Sequence, residues 1–575
     1  MHYKHFQNVV YIPAQVAARL TKEKLASDYS FIETYIGLDK VYLETHRGNR
    51  DVEKEQIRMI KEYLEMQGVE VSGGITTVIP DFEGAEAGKQ RLFDTFCYTD
   101  PAMRERLKQI CEYTAGLFDE VILDDFYFTN CTCERCIREK GDRDWVTFRR
   151  DLMKDVSENL VVKPAKAVNP KVKMVVKYPN WRESYHFTGY LPDVQQEIFD
   201  ATYIGTETRS PRYADQHLPE YLSYALVRYM DNAWPGRCGG GWFDTYQCWS
   251  ADRYLEQAYL TAFTKTKELM FFQWSDLIDN YFVGGMGIQL KKIDAMLEET
   301  GAPVGIPVYI PYASCGENHL EMRLGMLGIP MDPTPEFPAD KKVIMLTESA
   351  AADMQLIDKL KTYVMNGGEA VITTGLLKKI GEQLRKEGLT EASVTERKLT
   401  VTRYQVTDDP AGYMDDVRSI VFPEILHGNN ASWSLVNGGN GEYHTPLLLS
   451  GTYGKGGLYI FSVPDNAADL YRIPAPVTDT LKRILNKEDY VSGNGFSVFP
   501  YDDGSMILYR YVKGDIRPDR VTVYTKKPVR MLRDTMSGET FLPFIATLRK
   551  GWKTESYMAA EVVLQPGIFR KLRWE

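Results

Sequence analysis

The chain has 575 residues, a formal net charge of −10 and 26% charged residues, too long for one hydrophobic core, so two to four domains are expected. The negative charge is modest and spread out, with no basic run and no basic stripe interleaved with aromatics, which argues against nucleic acid and leaves a neutral or polar small molecule as the expected partner. Eight cysteines in so long a chain do not make a disulfide framework, so reduced thiols with a metal site are the simpler expectation.

The N-terminus, MHYKHFQNVVYIPAQ, lacks the charged start and long apolar run of an export signal, and no segment approaches ~20 apolar residues. The expectation is a cytoplasmic protein with no membrane span; an exported form with a trimmed signal would read the same. From residue 7 to about 300, short β-rich runs alternate with amphipathic helical stretches. The runs are 9–15, 40–48, 69–79, 120–126, 171–181, 201–209, 239–247 and 268–274, and eight of them make a (β/α)8 barrel the first choice. Several end in polar clusters: Glu44 and Arg47, Asp124 and Asp125, Glu207 and Arg209, Asp244, and Asp276. Barrel enzymes build their sites at the C-terminal strand ends, so these clusters are expected on one face. Aromatics make up 12% of the chain, and Trp181, Trp249 and Trp274 near strand ends are candidate sugar platforms, with plain core packing as the other reading.

After GAPVGIPVYIP the pattern changes to an α/β domain, with KKVIMLTES, a helix through LIDKLKTYVMNGG, EAVITTG, GLYIFSVPD and the helix VTDTLKRIL. It resembles a class I glutamine-amidotransferase-like fold, but no Cys or Ser sits on a glycine-flanked strand-to-helix elbow, so an interaction role is expected there. From about 494 onward, alternating strands such as SMILYRYV, RVTVYT and EVVLQP describe a small β-sandwich. The expected domains are 1–302, 303–490 and 491–575.

Residues 120–136, EVILDDFYFTNCTCERC, carry the most chemistry. A strand delivers two adjacent carboxylates to its tip, and Cys131, Cys133 and Cys136 follow with metal-ligand spacing. Three stretches resemble glycoside hydrolase family 42, whose members are mostly β-galactosidases: CTCERC followed by DWVTFRRDLM, FCYTDPAMRERLKQI upstream, and MFFQW with the helix after it. The order of the domains agrees as well. The resemblance implies that Cys97 joins Cys131, Cys133 and Cys136 around a structural zinc, and four thiolates would close such a site. It also implies a homotrimer joined through the amidotransferase-like domain and a saccharide substrate. Cys111, Cys238, Cys248 and Cys315 are expected in the core or a pocket wall.

At the catalytic positions the chain departs from that family. Asp124-Asp125 stands where the family has an Asn-Glu pair, which puts the acid/base role on Asp125, and the position of the nucleophilic glutamate is best matched by Asp244, with Glu207 as rival. Glycosidic cleavage needs two carboxyl groups, about 5–5.5 Å apart for retention or ~6.5–9.5 Å for inversion. Adjacent residues on a strand face opposite ways, so Asp124 and Asp125 share a pocket only if the strand has already ended. Glu44, Arg47, Trp181, Arg209, Trp249, Trp274 and Asp276 are the substrate-binding candidates, and an arginine pair in the pocket would hint at an acidic sugar. His46 is expected to be structural. Two alternatives remain open: a substrate-assisted N-acetylhexosaminidase mechanism in which Asp124 orients the acetamide, and a carbohydrate-binding protein without turnover.

Overall fold

The computed structural model describes residues 2–78, 95–407, 413–428, 431–513, 517–550 and 553–575. The chain divides into two compact units, Met1–Glu298 and Glu299–Glu575. In the first, the eight β-rich runs become eight strands: β1 (Gln7–Ile12), β2 (Lys40–Arg47), β3 (Glu70–Thr76), β4 (Glu120–Leu123), β5 (Lys173–Tyr178), β6 (Ala201–Gly205), β7 (Cys238–Asp244) and β8 (Glu268–Phe272). Ile79, the last residue of the third run, lies outside the described residues. Each strand pairs in parallel with the next, and β1 pairs with both β2 and β8, so the sheet closes into a barrel.

Helices cover the outside, and local chemistry sets their ends. The helix Pro101–Ala115 starts at Asp100, whose carboxylate accepts from the amides of Ala102 and Met103, with Pro101 at the first helical position. The helix Trp145–Val156 is capped in the same way by Asp144 through the amide of Thr147. Inside the barrel pack Val9, Tyr11, Tyr42, Ile122, Val175, Tyr203, Trp242 and Met270. β3 supplies glycine instead of bulk: a Cβ on Gly74 would lie 2.7 Å from Tyr11 Oη, so the tyrosine fits only because that position is bare.

The strand-start end of the barrel is closed by charge. Lys40, Glu120 and Glu268 are the first residues of β2, β4 and β8. Lys40 Nζ lies 2.5 Å from Glu120 Oε1 and 3.1 Å from Glu268 Oε1. Tyr42 Oη donates to Glu120 at 2.6 Å, and Tyr203 Oη donates to Glu268. Burial works against the Lys40 ammonium, but Glu268 and Glu120 outweigh it and hold the amine protonated well above its ordinary value.

In the second unit a nine-stranded sheet has a parallel half, with Ile306–Tyr309, Met331–Thr334, Val343–Leu346, Glu369–Thr373 and Gly456–Phe461, and an antiparallel half, with Ser393–Val406, Tyr413–Leu426, Ser432–Gly439 and His444–Tyr453. The antiparallel half has no counterpart in the sequence reading, because SVTERKLTVTRYQV carries too many charges to look like a strand. Two further antiparallel sheets, of four and five strands, enclose a core that includes Val491, Phe496, Leu508, Val523, Val562 and Leu572. Cys111, Cys238 and Cys248 are buried, whereas Cys315 is exposed, against expectation, in the segment after Ile306–Tyr309. Among the described residues no helix is long and apolar enough to cross a membrane.

Breaking one member of a buried ion cluster leaves the others uncompensated, at a cost of about 3–5 kcal/mol. Lys40→Met is therefore expected to destabilise the barrel by about 3 kcal/mol or more at pH 7, read as a lowered urea midpoint. A midpoint within experimental error of the parent would show that this end cluster does not hold the barrel together.

Candidate active site

β4 stops at Leu123, and the chain then turns. The amide of Asp124 still donates to Ile75 O at 2.9 Å, while the amide of Tyr127 returns to Asp124 O at 3.0 Å. Asp124 and Asp125 thus lie beyond the pleat, which frees both carboxylates to face the barrel axis. They meet on Lys177 of β5, whose Nζ lies 2.8 Å from Asp125 Oδ2 and 3.5 Å from Asp124 Oδ1. The same ammonium is 3.2 Å from Glu207 Oε1 and sits 3.9 Å from the centroid of the Trp242 ring. One cation therefore joins three carboxylates from two strand ends, over an aromatic floor.

Asp124 is fully engaged. Its Oδ2 takes Arg47 Nη2 at 2.7 Å and Thr76 Oγ1 at 3.2 Å, and its Oδ1 takes the amide of Asp125 at 2.7 Å. Arg47 is held in turn by Glu44, at 3.0 Å from Nε, and Glu44 also accepts from Tyr11 Oη at 2.7 Å, from the amide of Ala14 at 2.6 Å and from Thr76. Glu44 and Arg47 form a buried bracket for Asp124, not a surface pair. On the opposite side Arg209 forks onto Asp244 at the end of β7, at 3.1 and 2.8 Å. The backbone of Arg209 is left-handed, with φ 54°. Such strain in a non-glycine residue persists only where the surroundings fix it, which is common at functional sites.

The acids are not equivalent. The Asp125 side chain is 23% exposed, against 5% for Glu207 and 2% for Asp124, so Asp125 is the most accessible of the three to solvent. Burial, with Asp124 and Glu207 adding to it against the pull of Lys177, pushes Asp125 up to about 7. Burial would raise Asp124 as well, but Lys177, Arg47 and donation from the Asp125 amide hold it at about 2. Glu207 is raised by burial, with Lys177 pulling the other way. Its Oε2 has no hydrogen-bond partner among the described residues, and it packs over Gly205, where a Cβ would lie 2.4 Å away.

Below the Asp124–Asp125 turn, Cys97 Sγ lies 3.7 Å from Cys133 Sγ, 3.7 Å from Cys136 Sγ and 3.8 Å from Cys131 Sγ. The four sulfurs are buried and lie within 4.8 Å of one another. A tetrahedral ion with bonds of ~2.3 Å sets its sulfur ligands about 3.8 Å apart, so the cluster can bind a metal.

Residues 1–289 match the family model described as "Probable glycosyl hydrolase, catalytic domain". The chain belongs to that glycosyl hydrolase family. Residues 301–466 match a model described as "Uncharacterized protein SSO3021, second domain", and the uncharacterized protein SSO3021 of Saccharolobus solfataricus is 26% identical over 545 residues, covering 87% of this chain and 88% of its own. The whole chain also superposes on a β-galactosidase from Bacillus circulans sp. alkalophilus, at 13% identity, TM-score 0.66 and 100% coverage of both chains. A GH42 β-galactosidase from G. stearothermophilus gives 12% identity and TM-score 0.63 over 100% of this chain and 99% of that one. The α-L-fucosidase isoenzyme 2 of Paenibacillus thiaminolyticus gives 10% and 0.65 over 99% and 100%. At such identities the likeness carries the fold, and the three enzymes' differing names show that fold alone does not choose the sugar.

Within this glycosyl hydrolase, the remaining sequence candidates fall into place one by one. Trp249 is exposed, with φ 60°, and Trp181 packs edge-on against Phe128 and Tyr190 while staying partly exposed. Trp274 is a correction: it is fully buried and its indole donates to Asp28 Oδ2 at 3.1 Å, because the short helix Trp274–Leu277 turns it away from the barrel mouth. Asp276 on that helix accepts from Gln273 Nε2 at 2.9 Å, and among the described residues no hydrogen bond joins it to the Lys177 cluster. His46 pairs with Asp51 at 2.7 Å, as a structural histidine would. Arg47 and Arg209 are both neutralised by protein carboxylates, which removes the hint of an acidic sugar. The sequence reading missed Lys177 and also Phe272, which ends β8 and stacks on Trp242 at 5.2 Å. The signal for Lys177 was parity: it shares its strand face with Val175, an interior residue.

Gly205→Ala tests the packing of the cluster. A methyl there must displace the Glu207 carboxylate, and turnover of any glycoside the enzyme accepts is expected to fall by about 100-fold with the fold intact by circular dichroism. Unchanged turnover would show that the position of Glu207 does not matter.

Proposed function

We propose that the enzyme cleaves the glycosidic bond of a small saccharide or glycoconjugate with Asp125 as general acid/base and Glu207 as nucleophile. The observation that carries this reading is the shared ammonium: contacts of 2.8 and 3.2 Å to one Nζ keep the two lysine-bound oxygens no more than about 6 Å apart, an upper limit that accommodates the closer spacing of a retaining pair. Asp125, protonated below about 7, gives its proton to the glycosidic oxygen as the bond to the anomeric carbon breaks, and Glu207 forms a bond to that carbon. Water then gives a proton to Asp125 and attacks the anomeric carbon, releasing Glu207 as a carboxylate. Trp242, Phe272 and the exposed Trp249 offer faces for the sugar.

Asp244 as nucleophile is the second reading, favoured by its place at the end of β7 and by an Arg209 fork that fixes its orientation. That fork engages both its oxygens, whereas Glu207 keeps one free of hydrogen bonds among the described residues. The substrate-assisted route is supported less well, since both oxygens of Asp124 are taken and its side chain is buried.

The test is a panel of aryl glycosides. Asp125→Asn is expected to lose about 100- to 10,000-fold in kcat with poor leaving groups and much less with dinitrophenyl ones, which depart without a proton. Glu207→Gln should lose turnover with both classes. Equal losses for both leaving groups in Asp125→Asn would remove the acid role. The proton that Asp125 donates must be in place, so kcat/KM of the parent is expected to fall as pH rises through about 7; a profile flat from pH 6 to 9 would contradict this.

The four-thiolate cluster fits a structural zinc, with a closed shell and no open coordination position. Its place suggests the role of pinning the loop after the Asp124–Asp125 turn to Cys97 at the start of the helix Pro101–Ala115. Metal analysis of the purified protein should give about one zinc per chain, and Cys131→Ser should lower thermal stability. Well-folded, metal-free protein would overturn it.

A further inference from the structure

We propose that Lys177 is the positioning residue that offsets the repulsion between the two reacting carboxyl groups and holds them together at one glycosidic bond. The inference rests on the acid and nucleophile assigned above. Lys177 enters from β5, so it belongs to neither the strand end that carries Asp125 nor the one that carries Glu207. Its side chain is 2% exposed, and its Nζ is spent on Asp125, Glu207 and Asp124 at 2.8, 3.2 and 3.5 Å, with the Trp242 ring below at 3.9 Å. An ammonium has three N–H donors and no acceptor, and here three carboxylates receive it.

Two consequences follow from this placement. First, the cation lies between two carboxylates that would otherwise repel each other. Among the described residues, the charged or titratable groups facing Asp125 are Asp124 from its own turn, Lys177 from β5, Glu207 and, farther off, Arg209 from the segment after β6, and Tyr185 and Tyr190 from the segment after β5; Tyr190 Oη donates to the Asp125 backbone O at 2.7 Å. Arg47 is committed to Glu44 and Asp124, and Arg209 to Asp244. Among the described residues, Lys177 is thus the one cation in hydrogen-bond contact with both members of the proposed pair. Secondly, the ammonium stays protonated throughout the cycle while the negative charge moves. When Asp125 gives its proton to the leaving oxygen, charge appears on Asp125 and disappears from Glu207, which becomes an ester. The Lys177 hydrogen bonds tighten toward Asp125 and slacken toward Glu207 with no movement of the backbone, and the process reverses when water regenerates both groups. A preset donor of this kind stabilises charge where it develops, without reorganisation.

A purely structural lysine would neutralise buried acids and do no more, so stability and pH dependence separate the two roles. Lys177 pulls both Asp125 and Glu207 downward. Its loss should therefore raise both, moving the acidic and the basic limb of the kcat/KM profile to higher pH. With the aryl glycoside that the parent hydrolyses fastest, Lys177→Met and Lys177→Gln are expected to lose about 100-fold or more in kcat with KM changed less than about fivefold, and to move the pH optimum up by about one unit. Lys177→Arg, which keeps the charge, should return the optimum to that of the parent with only part of the kcat loss. Asp125→Asn and parent enzyme run alongside. If Asp125→Asn is inactive and folded Met and Gln variants lose activity with an unmoved profile, the positioning role is wrong while the acid assignment stands. If Asp125→Asn keeps full turnover, the acid assignment itself falls. Should the Met and Gln variants not fold, an optimum in Lys177→Arg displaced from the parent by more than about half a unit would still overturn the proposal, and an unmoved optimum would support it.

Discussion

A single buried ammonium holds the candidate site together. Lys177 gathers Asp124, Asp125 and Glu207 around one buried charge that offsets their mutual repulsion. Arg47 serves Asp124, which lets Lys177 lean toward Asp125 and Glu207. Arg209 serves Asp244 and keeps that charge out of the exchange. Desolvating a lysine is costly, and it survives here because the carboxylates around it outweigh the loss of water. The Trp242 ring supplies a flat, electron-rich floor that favours the cation without competing for a proton.

The two ends of the barrel use the same chemistry with opposite balance. At the strand-start end, Lys40 meets Glu120 and Glu268, and two tyrosine hydroxyls donate to the same two carboxylates. The cluster closes the barrel there. At the other end five carboxylates, Glu44, Asp124, Asp125, Glu207 and Asp244, share three cations, Arg47, Lys177 and Arg209. The excess is relieved by a proton on Asp125, the group with access to solvent, and by an oxygen of Glu207 without a partner among the described residues. Surplus negative charge at a strand-end face is what makes a carboxyl group an acid near neutral pH. Stability and reactivity thus sit at opposite ends of the same strands, as is general for this fold.

Much of this was legible in the sequence. All eight barrel strands were, because the β-rich runs alternate with helix-length stretches and several of them end in polar clusters. Asp124 and Asp125 were legible as a pair, and their convergence turned on a condition the sequence states but does not resolve, whether β4 ends before them. Cys131, Cys133 and Cys136 were legible from spacing, and Cys97 only through the family resemblance. Lys177 was not, since a lysine in KMVVKY reads as a solvent-facing residue, and its interior parity is visible only once Val175 is known to point inward. Lys40, Glu120 and Glu268 carry no signal in the sequence, since nothing local brings residues so distant in sequence to one axis. Trp274 misled because a tryptophan just past a strand reads as a platform, whereas one helical turn directs it to Asp28.

The proposed pairing of Asp125 with Glu207 makes one stereochemical claim, because two carboxyl groups held on the same ammonium favour the closer spacing of a retaining pair. Proton NMR of the sugar released in the first minutes of hydrolysis, before mutarotation, reads that claim directly. The account predicts that the first anomer formed has the configuration of the substrate. Release of the opposite anomer would contradict it.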